Sequence, residues 1–229
     1  MNTADMQGIL DYLSALEQNN NREWFHANKP QYSEAVRSFE TLVGELMGAL
    51  REHDDSLPLT EPKELTFKLM RDTRFSHDKS PYNPAFRAHI SSKGKLPIPV
   101  GYFLMIQPGG RSFLGGGLFA DMFREATVLV RDHIAAHGGR WQQIVEDPAF
   151  TSRFTVGGTA LKKVPQGYDP GHPQAEYLKN KSWYIEYPLT DAQLLDKDFL
   201  PFAVDTFVGM QPFNGFLNEA LQRFQMPSR

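Results

Sequence analysis

Between Gly101 and Leu118 the sequence leaves little choice of conformation. Tyr102, Phe103, Leu104, Met105 and Ile106 form an unbroken apolar run, as expected for a strand covered on both faces. Gln107-Pro108-Gly109-Gly110 is a turn signal, because proline presets one turn dihedral and glycine accepts positive φ. Ser112 to Leu118 can then return antiparallel, which places a hairpin at the centre of a sheet.

The rest of the chain supplies layers for that sheet. Met6, Ile9, Leu10, Leu13 and Leu16 recur at helical spacing until Asn19-Asn20-Asn21 breaks the pattern, and a short helical turn is expected over Arg22 to Ala27. From Pro30 a long amphipathic helix buries Ala35, Val36, Phe39, Leu42, Val43, Leu46, Met47 and Leu50. Past the polar linker His53 to Pro62, Leu65 to Met70 and Ala85 to Ile90 read as strands. Asp121 can cap a helix with the stripe Met122, Ala126, Leu129, Val130 and Ile134, ended by Gly138-Gly139. Trp141 to Glu146 reads as a short helix, Thr151 to Pro173 as irregular, and Ser182 to Leu189 as a late strand. Two terminal helices with a break at Pro212 close the chain. Strands and helices do not alternate strictly, so the expected fold is α+β: a single domain over residues 1–229. Its mixed, mainly antiparallel sheet carries N-terminal, central and C-terminal helices.

Composition excludes several classes. With no cysteine among 229 residues there is no disulfide framework, zinc-thiolate site or thiol nucleophile. Met1 to Leu10 lacks a basic stretch followed by an apolar run, and no apolar span reaches membrane length, so a cytoplasmic, bacterial chain without membrane contact is expected. Charge is uneven. Residues 63–95 hold eight Lys/Arg (63, 68, 71, 74, 79, 87, 93, 95) against Glu64, Asp72 and Asp78, a balance of +5, so with -3 overall the remainder carries -8. Such a segment concentrates positive potential and favours anionic ligands.

Within that segment Arg71, Arg74 and Lys79 lie close together, with Ser76, Ser80 and Tyr82 offering hydroxyls. A guanidinium fork donates two parallel charge-assisted hydrogen bonds to phosphate or carboxylate, and lysine adds a point charge. Asp72 and Asp78 could orient those cations, and Pro81 and Pro84 would stiffen the loop. Arg71, Asp72, Arg74 and Asp78 could equally pair with one another and pin a long connection to the sheet. For an enzyme, Tyr82, His77 and Asp72 are the proton-transfer candidates.

The run Arg71-Asp72-Thr73-Arg74-Phe75-Ser76-His77-Asp78-Lys79-Ser80-Pro81-Tyr82 combines with Asn20-Asn21-Arg22-Glu23-Trp24-Phe25 upstream and Leu161-Lys162-Lys163-Val164-Pro165 downstream. In these the chain resembles, over essentially its whole length, an uncharacterised bacterial family known only as a domain of unknown function. That family's motif opens with Arg where this chain has Lys68, which keeps the charge and loses the fork. The resemblance implies no established activity, cofactor or catalytic residue.

Asn21 to Tyr32 reads as a capped corner with Trp24 and Phe25 in the core. Leu161 to His172, with Lys162, Lys163, Tyr168, Asp169 and four glycines nearby, has the make-up of either a ligand lid or an ordered surface loop. Gly115-Gly116-Gly117 lacks the lysine and spacing of a phosphate loop and reads as a bulge or close packing. His133 and His137 have metal-ligand spacing without its acidic signature, and read as solvated last-turn residues, so no metal and no cofactor is expected.

Three functions remain. First is binding of a small phosphorylated or carboxylated ligand by Arg71, Arg74, Lys79, Asp78, Ser76 and Tyr82, roofed by Lys162, Lys163 and the loop to His172. Second is nucleic-acid binding by residues 63–95, with Phe75, Tyr82 and Phe86 stacking, against which the acidic remainder and a pI near 6.2 weigh. Third is an interaction protein whose charged motif is a salt-bridge network. Oligomeric state is not legible.

Overall fold

A computed structural model describes residues 3–119 and 123–227. Helix α1 (Thr3–Gln18) buries Met6, Ile9, Leu10, Leu13 and Leu16 against α3 (Lys29–Leu50), which faces it with Phe39, Leu42, Val43 and Leu46. Burying each such side chain contributes about 1.5–3 kcal/mol, so the facing stripes are enough to hold the two helices together. Between them α2 (Arg22–Ala27) is capped by Asn21, whose side chain accepts from the Trp24 N–H, and Trp24 and Phe25 pack on the core. Pro30 lies in the first turn of α3, where its missing N–H costs nothing.

The sheet has four strands, β1 (Phe86–Ile90), β2 (Tyr102–Ile106), β3 (Ser112–Leu118) and β4 (Trp183–Leu189), in the order β1-β2-β3-β4 with every pairing antiparallel. The hairpin expected from Gly101 to Leu118 is its centre, with Leu104 opposite Leu114 and Met105 opposite Phe113. Ala88, Leu104, Leu114 and Ile185 point to one face, where α3, α10 (Phe199–Gly209) and α11 (Gln211–Ala220) cover them. Phe39 stacks on Phe86 and Phe207 meets Tyr102 there. Pro212 sits in the first turn of α11, so the terminal pair breaks at Met210.

Several expectations change. Leu65 to Met70 is not a strand: Pro62 starts a single helical turn, α4 (Pro62–Leu65), and Thr66 closes it by donating to the Lys63 carbonyl. Beyond it the chain forms no continuous ladder and pairs with its neighbours at the isolated bridges Thr66–Ala88 and Met70–Tyr82. Gly138-Gly139 does not stop α5 (Arg124–Ala136) but begins α6 (Gly138–Val145), and the chain bends at His137. A Cβ on Gly138 would lie 3.0 Å from the His172 ring, so glycine there admits the loop that folds back over the junction. His133 is not solvated. Its ring packs 4.5 Å from those of Phe216 and His137, and burial lowers its pKa. The Asp121 cap and Met122 lie outside the described residues. Short turns α7 (Pro148–Thr151), α8 (Ala175–Leu178) and α9 (Asp191–Leu194) complete the chain, and no helix among the described residues is long and apolar enough to cross a membrane.

Candidate functional site

Residues 69–83 form a hairpin outboard of β1, closed by Arg71 N–H to Pro81 O (2.9 Å) and Asn83 N–H to Leu69 O (2.7 Å). Asn20 anchors its base: its amide donates to the Tyr82 carbonyl (2.8 Å) and accepts from the Tyr82 N–H (3.1 Å). The Tyr82 ring, buried, stacks on Phe25 with centroids 4.1 Å apart. The segments around Asn20 and Tyr82 are therefore locked together by these contacts.

At the tip the charged groups pair at the surface. Arg74 grips Asp72 with Nη2 at 2.6 Å and Nε at 3.0 Å, Arg71 pairs with Asp78 and reaches Ser76, and Lys79 donates to the Thr73 carbonyl (2.9 Å). Ser80 and Arg71 hold the Asp78 carboxyl far below the usual carboxylate range, and Arg74 holds that of Asp72 down too. His77 is exposed, and Phe75 is 94% exposed beside Arg74. Exposed pairs of this kind are screened by water and contribute little to stability. Accordingly Arg74→Ala should leave the melting temperature essentially unchanged. Asn20→Ala, which strands a donor and an acceptor of Tyr82, should cost about 1–3 kcal/mol in urea denaturation. A loss from Arg74→Ala as large as that from Asn20→Ala would mean that the charged tip anchors the hairpin as firmly as Asn20 does.

Lys162 and Lys163 are exposed in a loop that runs outboard of β4, held by the bridges Gly157–Tyr184 and Ala160–Asn180. Tyr168 donates to Asp132 (2.7 Å), and burial together with that carboxylate pushes its hydroxyl up to about 12. His172 Nδ1 accepts from the Gln174 N–H, which leaves Nε2 to donate to the Ala135 carbonyl. The loop is thus pinned to α5, at the opposite edge of the sheet from the hairpin, and does not roof it.

The structure brings together a different set on the second face of the sheet. One row across the strands reads His89, Phe103, Gly115, Glu186 and the next Arg87, Met105, Phe113, Pro188. Here, among the described residues, side chains and loops replace a helical layer. The Phe103 ring lies 6.2 Å from Phe67, 5.7 Å from Phe113 and 5.7 Å from Phe119, and Phe119 stacks 4.8 Å from Tyr184. These five rings form a half-open aromatic floor. Gly115 makes room for it, because a Cβ there would come within 3.0 Å of Phe119, while the neighbouring Gly116 admits Asn214 and Met210 on the core side. Arg87 lies over Phe67 at 5.6 Å, donates to the Lys68 carbonyl, and keeps a buried Nε without a hydrogen-bond partner among the described residues.

Over β3 and β4 the face opens into a cavity of about 570 Å³ lined by Phe113, Tyr184, Glu186 and Pro188, with Arg111 and Arg153 at its wall. Those arginines are held by Glu17 and Asp205 respectively. A second cavity of about 340 Å³, beside Asp54 and Tyr102, is lined by α11 amides that already hold the main chain: Asn214 donates to Gly101, and Asn218 brackets Val100. Neither cavity is lined by a residue of the hairpin.

His89 is 7% exposed on the aromatic face, and burial lowers its pKa from 6.5 to about 4. Below 6.5 the unfolded chain binds a proton that the folded chain refuses. Its contribution is therefore full above that value and lost as pH falls toward 4, by about 3 kcal/mol at most. Denaturation curves taken at pH 7.5 and 4.5 should differ less in His89→Gln than in the wild type.

The aromatic floor was not anticipated from sequence, where Phe103 was expected under a covering layer. Its signal was present in the hairpin register, since a turn at 107–111 sets Phe113 diagonal to Phe103. No curated protein and no solved structure matches the chain. A family profile described as a conserved hypothetical protein matches residues 8–216, nearly the whole molecule. It spans both the hairpin with its Asn20 anchor and all four strands of the aromatic face, and by that match the chain belongs to the conserved hypothetical family DUF2461.

Proposed function

We propose that this protein binds nucleotide units, with bases stacked on the open face of the sheet and phosphates drawn to its β1 edge. The observation that carries this reading is the continuous floor of Phe67, Phe103, Phe113, Phe119 and Tyr184 on a face that no described helix covers. Half-buried rings on the middle strands of an antiparallel sheet are what base recognition uses, because every base offers a π-face. The second support is electrostatic. The +5 segment 63–95 contains β1 and its flanks, so positive potential borders the floor on one side.

In this reading the Arg71–Tyr82 hairpin contributes field rather than a pocket. Its guanidinium forks face Asp72 and Asp78, and a small anion would have to displace a carboxylate from each. Tyr82 is a core residue of the anchor, which removes it as a proton-transfer group in open solvent.

The test is fluorescence anisotropy with labelled single-stranded oligonucleotides of about 4–10 nucleotides, competed by mononucleotides, at low and raised salt. Saturable binding that weakens with salt is expected, with the oligonucleotide tighter than a mononucleotide if the strand is the ligand. No binding of either kind at low salt overturns the reading.

A further inference from the structure

Resting on nucleotide binding at the aromatic face, we propose that Glu186 selects a ring whose edge presents two adjacent N–H donors, the edge that guanine alone offers among the common bases. Glu186 stands opposite Gly115 and two residues from Tyr184, so it shares the row of Phe103 and the face of all five rings. Strand spacing sets it ~10 Å across the sheet from Phe103, with Phe119 folded over the glycine between them. A base stacked on Phe113, Phe119 and Tyr184 therefore turns an edge toward this carboxylate.

Glu186 is exposed, and three features suit its carboxylate to reading a ligand's edge. It is the single carboxylate among the strand residues on this face, and it has no hydrogen bond or ion pair among the described residues. The two arginines lining its cavity are engaged by Glu17 and Asp205, which leaves its oxygens open to a ligand. Crowding by the protein also raises its pKa through desolvation, so a partner that supplies donors returns hydrogen bonds that water provides only in part. A carboxylate meets a pair of parallel N–H groups in the two-point geometry it forms with a guanidinium. Cytosine and adenine offer it an amino group without the second donor, and uracil a lone imide N–H flanked by repelling carbonyls.

The experiment is a competition series with the four mononucleotides, and with oligonucleotides that carry or lack guanine, against wild type and Glu186→Gln. A two-point contact discriminates by about 1–3 kcal/mol, so wild type should prefer guanine by about fivefold to a hundredfold. Glu186→Gln should bind guanine as weakly as the other bases, with an unchanged melting temperature. Equal binding of all bases by wild type, or a preference that survives in Glu186→Gln, overturns the assignment of Glu186 and leaves stacking intact. No nucleotide binding by wild type overturns the stacking reading and this inference together. Preference seen with free GMP assigns the site to the nucleotide, and preference seen only in oligonucleotides assigns it to the strand.

Discussion

Phe103→Leu should weaken oligonucleotide binding by about fivefold to a hundredfold while leaving the fold in place. Phe103 is the hub of the aromatic floor, in ring contact with Phe67, His89, Phe113 and Phe119. Leucine keeps most of its volume and apolar surface, so burial changes little, but it has no π-face to offer a base. Stacking of one base on one ring is worth about 1–3 kcal/mol, which sets the expected loss. Combining it with Tyr184→Leu, at the far end of the floor, should lose more than either change alone, because the two positions lie on separate strands and would each offer a ring to a different base. Anisotropy titration gives the affinity, and circular dichroism with a urea curve shows whether the protein remains folded. Unchanged affinity in the folded double variant would remove the aromatic face as the binding surface.

The second large effect concerns stability. Trp141→Ala should cost about 3–5 kcal/mol, a major part of the 5–15 kcal/mol by which a domain is usually stable. Trp141 is fully buried, and its ring meets Tyr177, Phe213 and Phe216 at 5.1–5.6 Å, which ties α6 to α8 and α11. Removing it leaves a cavity at the junction of three elements that rigid neighbours cannot fill. Its indole N–H has no hydrogen-bond partner among the described residues. Trp141→Phe therefore discards an unsatisfied donor while keeping much of the ring, and should cost far less than the alanine variant. Equal costs in urea denaturation would show that shape, not ring burial, is what the site demands.

Where a segment's own pattern decided its conformation, the sequence was easily read. The stripe from Ala35 to Leu50 has a single amphipathic solution, Asn21 caps α2 through its own side chain, and the Pro108-Gly109-Gly110 turn sets the β2–β3 register. The motif from Arg71 to Tyr82 pointed to the family, and its acids and cations suggested the self-pairing that occurs. Other features depended on partners distant in sequence. Leu65 to Met70 carries strand composition, yet Pro62 claims its start for a helical turn and β1 meets the rest at isolated points. Gly138 looks like a stop until His172 arrives from 34 residues downstream.

The apolar run with the turn behind it determined, by sequence alone, that a hairpin would lie at the centre of a sheet. Chain-local forces suffice for that, since turn dihedrals and alternation of side chains act within a dozen residues. Which face of the hairpin is covered was decided only by tertiary structure. Burial depends on where α3, α10 and α11 come to rest, and they all settle on the side of Leu104 and Leu114. Phe103 and Phe113 are as apolar as their neighbours, but they are left half open, and that asymmetry gives the central strand pair one buried face and one open aromatic face.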